Sequence, residues 1–398
     1  MSGPIRFEVT AAAPAGKARA GRLETPHGVV ETPAFMAVGT QAAVKTLDPD
    51  ELREIGCRII LANAYHLALR PGAERIAALG GLHRFMNWEG PILTDSGGYQ
   101  LFSLAPLARV RDSGIDFQSH LDGARMELTP ESSVAIQEAL GADIAMALDE
   151  PLGYPHTRDE AEEALRRTTL WAGRARAAQR RADQALFGIV QGGAFTDLRR
   201  RSAEEIAALD FPGYAVGGLC LGESKREVAE CLDAATDVLP PDRPRYVMGM
   251  GTPGDLLRGV LRGADLFDCV MPTRHARRGN LFTWGGRISI KRAGHADDPA
   301  PIDPACGCPA CRRGFGRAYL RHLFRAGEAL GARLMTLHNL YFYQDLLRRA
   351  REALAAGGFA AWAEEILAGP LGEDPEGPPG GGREGAEEPV REGGEEKE

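Results

Sequence analysis

Asp268 stands in Leu266-Phe267-Asp268-Cys269-Val270-Met271-Pro272-Thr273-Arg274, with Arg274, His275, Arg277 and Arg278 all within ten residues of it. The expected local order is a short buried strand delivering a carboxylate, a proline stop and a run of cations. Arginine forks hold phosphates, so a carboxylate beside them suits chemistry on the sugar or base of a nucleic acid. A second carboxylate opens Asp95-Ser96-Gly97-Gly98-Tyr99-Gln100, directly after the apolar Ile92-Leu93-Thr94. Its glycines let backbone amides approach a ligand, and Tyr99 supplies a flat stacking face. Two such acids can replace a base on a ribose through an oxocarbenium-like transition state. One attacks the anomeric carbon and the other moves protons.

Other polar residues fall where apolar runs end. Asp149-Glu150, Gln191-Gly192-Gly193, Gly217-Gly218-Leu219 and Met248-Gly249 each close such a run. A carboxylate accepts from the amide-like edge of a purine, and Gln both donates and accepts. With exposed amides at Gly217 and Gly218 they could read a guanine-like base sandwiched by Tyr99 and Met248. Each alone is equally readable as a strand-end cap; their recurrence is what points to a site.

Cys306-Gly307-Cys308-Pro309-Ala310-Cys311 crowds three of the seven cysteines into six residues, which suits metal ligation rather than a disulfide framework. Three thiolates and one histidine would close a tetrahedral, structural Zn²⁺ site, one ion per chain. His338, on an apolar helix, is the first choice for the fourth ligand; His322 and then His295 follow.

These residues need a scaffold. Apolar runs at Ala34–Val38, Arg58–Asn63, Pro91–Ser96, Asp143–Glu150, Ala185–Gln191, Tyr214–Leu219, Arg245–Met250 and Leu266–Thr273 alternate with amphipathic helix patterns. Asp48-Pro49, Thr129-Pro130 and Thr252-Pro253 are helix starts with proline in the first turn. Eight such units predict an α/β fold, a (β/α)8 TIM barrel, whose catalytic groups sit at the C-terminal strand ends. Segments near Phe7–Val9, Ala18–Leu23 and Val29–Gly39 predict an N-terminal antiparallel lid. Val110–Leu128 reads as an inserted hairpin turning at Asp122-Gly123. A zinc-binding subdomain (about 285–355) follows the last strand, with helices at Gly316–Ala326, Arg333–Ala355 and Phe359–Leu367.

The domain expectation is therefore one catalytic body, residues 1–367, and a disordered tail, 368–398, rich in Gly, Glu and Pro. From Pro370 onward there are ten acids and three bases, so the body carries only −1 of the total charge of −8. Nucleic-acid binding would rest on local basic patches. No apolar run could span a bilayer and Met1-Ser2-Gly3-Pro4-Ile5-Arg6 lacks a signal's apolar stretch, so a cytoplasmic protein without membrane association is expected.

Together these motifs resemble the tRNA-guanine transglycosylase family, also called queuine tRNA-ribosyltransferase, from about Phe7 to about Leu367. Asp95-Ser96-Gly97-Gly98-Tyr99-Gln100, Gly188-Ile189-Val190-Gln191-Gly192, Gly217-Gly218-Leu219, Phe267-Asp268-Cys269-Val270-Met271-Pro272-Thr273-Arg274 and the Cys-x-Cys-x-x-Cys…His set carry the resemblance in order. It implies a zinc-containing barrel, usually a homodimer paired near the zinc subdomain. Such enzymes exchange the wobble guanine of tRNAs with GUN anticodons for a 7-deazaguanine, a step in queuosine formation. Carried over, Asp268 is the nucleophile on ribose C1′ and Asp95 the general acid/base. Ser96, Gly97, Gly98, Tyr99, Asp149, Gln191, Gly217, Gly218, Leu219 and Met248 would surround the base. Gly249, Met250, Gly251, Thr252, Pro253, Gly254 and Asp255, with Thr273, Arg274, His275, Ala276 and Arg277, would meet the anticodon stem-loop.

Pro151 stands where many bacterial members carry Cys, Leu221 where Val is common, Thr252 where Lys is frequent and Arg278 where Asn is frequent. The first two could line the pocket, which leaves the incoming base open between 7-aminomethyl-7-deazaguanine and the larger queuine. Two other functions use the same residues: an RNA N-glycoside hydrolase that admits water, and a non-catalytic RNA-binding subunit. The presence of both Asp95 and Asp268 argues against the second.

Overall fold

The computed structural model describes residues 3–104 and 108–372; beyond residue 372 the acidic tail lies outside it. Eight parallel strands close a barrel: Ala34–Gly39, Ile60–Asn63, Ile92–Asp95, Ile144–Met146, Ala185–Val190, Tyr214–Val216, Arg245–Val247 and Leu266–Asp268. The eighth pairs with the first, setting Leu266 opposite Ala34 and Asp268 opposite Met36. Alternate side chains explain why the strands read as continuously apolar. Met36, Leu61, Leu93, Met146, Phe187, Ile189 and Tyr246 share the barrel interior. Their neighbours Phe35, Ile60, Ala145, Val190, Val247 and Phe267 pack outward in the larger core with the helices. A strand covered on both faces has no polar side to alternate with.

Helix starts follow from local chemistry. Asp48, Thr129, Thr157 and Ser224 each form a reciprocal capping box, and Thr252 caps the helix Pro253–Leu261 through its hydroxyl. Each such cap contributes about 1 kcal/mol. Gln137, fully buried on the helix Pro130–Leu140, donates to the Met146 carbonyl (2.9 Å) and accepts from the Met146 amide (2.9 Å), fixing the fourth strand to its helix.

The N-terminal strands Arg6–Ala12, Arg19–Thr25 and Gly28–Thr32 form an antiparallel sheet. The third lid segment, expected over Val29–Gly39, is divided at Pro33: its first part completes this sheet, and its second is the first barrel strand, where the run Ala34–Val38 was expected. Leu23 and Val30 pack with Ile59, Ala185 and Leu266 at the strand starts, so the sheet closes the N-terminal end of the barrel. Arg19 ties it there. Its guanidinium donates to both oxygens of the fully buried Asp265 (3.0 and 2.6 Å) and to the Arg243 carbonyl (2.7 Å). Asp143 anchors the neighbouring corner, bonded to His27 (2.8 Å), His83 (3.1 Å) and the Ile92 amide (2.8 Å). The two imidazoles stack 3.6 Å apart. Parallel stacked rings cannot both aim an in-plane lone pair at one ion, so this trio reads as a hydrogen-bonded anchor. Arg19→Met is expected to strip a buried carboxylate of its partner and cost about 3–5 kcal/mol, read as a lowered midpoint in urea unfolding.

Three further elements differ from expectation. The insert is a three-stranded sheet, Arg109–Arg111, Gly114–Gln118 and Arg125–Leu128, because a second tight turn precedes Gly114. The eighth strand ends at Asp268 and the helix Met271–Arg277 follows, with Pro272 in its first turn. Proline starts this helix instead of stopping the chain, since its missing N–H has no intrahelical partner there anyway. The long C-terminal helix begins at Ala329, four residues before the expected start. No helix among the described residues is long and apolar enough to cross a membrane.

Candidate active site and metal centre

Every acid singled out for chemistry lies at the C-terminal mouth of the barrel. Asp95 ends the third strand and Asp268 the eighth. Asn63, which caps the helix after the second strand, donates to Asp95 Oδ2 (2.8 Å), as does Gln100 (3.0 Å); the Ala64 amide donates to Oδ1 (3.2 Å). Burial nevertheless dominates. It pushes the Asp95 carboxyl up to about 8, with Asp268 and Asp149 adding like-charge repulsion. Asp95 is therefore mostly protonated at neutral pH.

Asp268 is held differently. The buried Tyr246 hydroxyl donates to its Oδ1 (2.6 Å) and the Gly249 amide donates to the same oxygen (2.9 Å). Burial raises this carboxyl too, and both donors oppose the rise. Tyr246→Phe removes a donor that opposes the rise and is expected to lift the Asp268 carboxyl further, as read by ¹³C-detected titration of that side chain.

Asp149 lies three residues past the fourth strand. Burial pushes it up to about 6, against the Gln191 amide that donates to Oδ2 (2.7 Å). Ser96 Oγ lies 3.5 Å from its other oxygen. Gly218 takes a left-handed conformation (φ 61°), and any Cβ there would overlap Gln191 Oε1. Only glycine lets the backbone and the Gln191 amide share this floor. Gly217 likewise faces Gln191 and Met248, whose sulfur would lie 3.4 Å from a Cβ placed there. Leu219 is buried, Met248 is half-buried and Tyr99 is 40% exposed, so an aromatic face and a thioether stand open at the mouth.

Two side chains that organise this floor escaped the sequence reading. Tyr246 looked like one more core residue of its strand. Arg199, fully buried on the helix Thr196–Ala208, donates to the carbonyls of Gly193 (2.7 Å), Gly217 (2.6 Å) and Gly218 (2.7 Å). One guanidinium thus pins the loops after the fifth and sixth strands.

The residues expected to meet RNA divide by exposure. Gly249 is exposed, and Thr252, Arg274, His275 and Arg277 are half-buried along the rim. Met250, Gly251, Pro253, Gly254, Thr273 and Ala276 are buried, as is Asp255, which pairs with Lys225 (2.5 Å) and Arg258 (3.4 Å). The buried group can support the rim but presents little surface of its own.

The metal centre lies after the barrel. His338 Nδ1 is 3.6, 3.5 and 3.5 Å from the Sγ atoms of Cys306, Cys308 and Cys311. An ion bonded to sulfur at about 2.3 Å and to nitrogen at about 2.05 Å in a tetrahedron spaces those atoms by roughly 3.6 Å. These four buried residues form a metal-binding set of fitting geometry. His338 Nε2 lies 2.8 Å from the Phe282 carbonyl; donating there leaves Nδ1 as the ligand atom. The runners-up do not converge: His322 is exposed and His295 faces Asp298 (3.5 Å). The helix Ala329–Ala355 that carries His338 also reaches the mouth. Asn339 donates to the carbonyls of Pro272 and Asn280 (both 3.0 Å), and the Tyr343 hydroxyl donates to the Gly251 carbonyl (2.5 Å). The metal centre and the rim around Asp268 therefore share one helix.

A family model described as queuine tRNA-ribosyltransferase matches residues 15–369. The chain belongs to the queuine tRNA-ribosyltransferase family. It is 56% identical over 365 residues to a protein of that name from Desulforudis audaxviator, covering 92% of this chain and 98% of the relative. It is 54% identical over 364 residues to one from Symbiobacterium thermophilum (91% of each chain) and 51% identical to one from Desulforamulus reducens (92% and 98%). In this member of the family, the closed barrel, the mouth acids and the Cys₃His set all fall within the matched residues.

Proposed function

We propose that this protein is a tRNA-guanine transglycosylase that exchanges the wobble guanine of GUN-anticodon tRNAs for a 7-deazaguanine. Pentosyltransfer on a tRNA guanine follows from family membership; the rest is our reading of the mouth. The observation that carries it is the pair of carboxylates, Asp95 buried and Asp268 half-buried, held by different donors at one end of one barrel.

In this reading Asp268, ionised, attacks ribose C1′ as the C1′–N9 bond breaks. Asp95, protonated at neutral pH, gives its proton to the departing guanine. The covalent ribosyl ester forms, and Asp95 is left as the base. It then takes the N9 proton of the incoming deazaguanine, whose nitrogen attacks C1′ and releases Asp268. Two inversions retain configuration. Asp149 and Gln191 read the pyrimidine edge of the base, the Gly218 amide adds a donor, and Tyr99 and Met248 stack on its faces. The target base already lies unpaired in an anticodon loop, which makes its extrusion inexpensive.

7-Aminomethyl-7-deazaguanine is taken as the incoming base, with queuine as the alternative. The metal at Cys306, Cys308, Cys311 and His338 is taken as Zn²⁺, structural, one per chain: soft thiolates select it and four protein ligands leave no open position. The working form is taken as a cytoplasmic homodimer.

Radiolabelled guanine exchange into an anticodon stem-loop, competed with each deazaguanine, tests reaction and base preference together. Exchange without loss of base supports transfer; accumulating abasic RNA supports hydrolysis and sinks the reading. The acid role of Asp95 sets a sign for pH: loss of its proton through about pH 8 removes the general acid. Adduct formation is expected to fall above that pH. A single-turnover profile flat to pH 10 would count against Asp95 as the proton donor.

A further inference from the structure

The family match ends at residue 369, and the last described residues, Pro370, Leu371 and Gly372, fold back against the mouth. Leu371 is buried, its carbonyl 2.6 Å from where a Cβ on Gly254 would stand, at the start of the helix Pro253–Leu261. Arg258 of that helix donates to the Gly372 carbonyl (2.9 Å). Pro370 sits against Gly286 in the hairpin that follows the helix Met271–Arg277. The chain is therefore delivered to the side of the rim next to Asp268.

The stretch of sequence around Gly286 is complementary in charge to the chain that follows Gly372. Residues 270–296 contain six Lys or Arg and no Asp or Glu, and Arg278, Lys291 and Arg292 among them are exposed. Residues 373–398 contain ten acids and three bases. Twenty-six residues reach at most roughly 90 Å at about 3.5 Å each, far more than the rim beside Pro370 requires. A segment tethered this close has an effective concentration in the millimolar range.

We propose that residues 373–398 act as a tethered polyanion that occupies the cationic rim at 270–292 and competes there with the RNA substrate. This rests on the reading of RNA as substrate. Phosphates and tail carboxylates would displace one another from the same cations, so the tail sets a threshold for RNA binding that salt can tune.

The test compares the full-length chain with a full-length variant in which all ten acids of 373–398 become amides (Glu373→Gln, Asp374→Asn and likewise for the other eight). The probe is an anticodon stem-loop with a GUN anticodon. At about 50 mM salt the amide variant is expected to bind on the order of ten-fold more tightly, with a steeper fall of log K against log salt. KM should drop in step and kcat stay unchanged. Equal affinity at low salt, or a gain that salt leaves untouched, overturns the proposal. A readout without RNA accompanies it: carbodiimide coupling of the full-length chain should join tail carboxylates to Lys291 at low salt and not at high salt. No such cross-link also overturns it. If tail and stem-loop compete but no guanine is exchanged, the enzymatic reading fails while the tail stands. If exchange proceeds and the amide tail changes nothing, the tail fails alone.

Discussion

Asp268→Asn is expected to abolish the covalent RNA adduct and lower turnover by on the order of 10⁴-fold, while the stem-loop Kd stays within about three-fold. The asparagine keeps the volume and can still accept from Tyr246 and the Gly249 amide, whose bonds at 2.6 and 2.9 Å locate the side chain. What it lacks is a charged oxygen that can bond to C1′. Binding should survive if, as proposed, the rim cations hold RNA phosphates, since such contacts would supply affinity without touching the reacting carbon. Denaturing gels of enzyme trapped with stem-loop read the adduct directly. A band that persists in the asparagine variant would show another nucleophile at work, and Asp95 would be the next candidate.

His338→Ala should have the second-largest effect. It removes one of four ligands and also the contact of Nε2 with the Phe282 carbonyl at 2.8 Å. Structural zinc contributes folding free energy outright. Loss of several kcal/mol in a chain this size lowers Tm by about 5 °C. Zinc content should fall from one per chain towards zero after mild chelation. Activity should suffer with it, because the helix carrying His338 holds the Pro272 and Gly251 carbonyls beside the mouth through Asn339 and Tyr343. Thiol modification with chelation of the unmodified protein should release the same single ion. Full zinc occupancy in the alanine variant would show that the ligand lies elsewhere.

The barrel was legible because a strand buried on both faces has little freedom in composition. Met36 faces the interior and Phe35 the helices, so both must be apolar, and eight such runs leave few architectures. Caps were legible for a similar reason: Asp48, Thr129 and Thr252 satisfy amides three residues away, an interaction written in local order. The helix Met271–Arg277 was misread as strand because Val270, Met271 and Thr273 suit either state. Packing against the long C-terminal helix, where Asn339 takes the Pro272 carbonyl, decides between them.

Arg199 and Tyr246 were not legible. Arg199 binds backbone carbonyls of Gly217 and Gly218, which any sequence possesses, so its own residue type carried no signal of a partner. Tyr246 meets Asp268 across adjoining strands through an inward-facing hydroxyl that a strand pattern cannot distinguish from bulk. The sequence by itself determined which residues could do chemistry, which could hold a metal, and that apolar strands must bring their polar ends to one side. Only the folded chain settles how each of two similar aspartates is held. Burial raises both carboxyls, and the donors around them come from separate elements: Asn63, Ala64 and Gln100 for Asp95, Tyr246 and Gly249 for Asp268. A carboxyl's proton affinity is set by what surrounds it, and the chain's order does not state its surroundings.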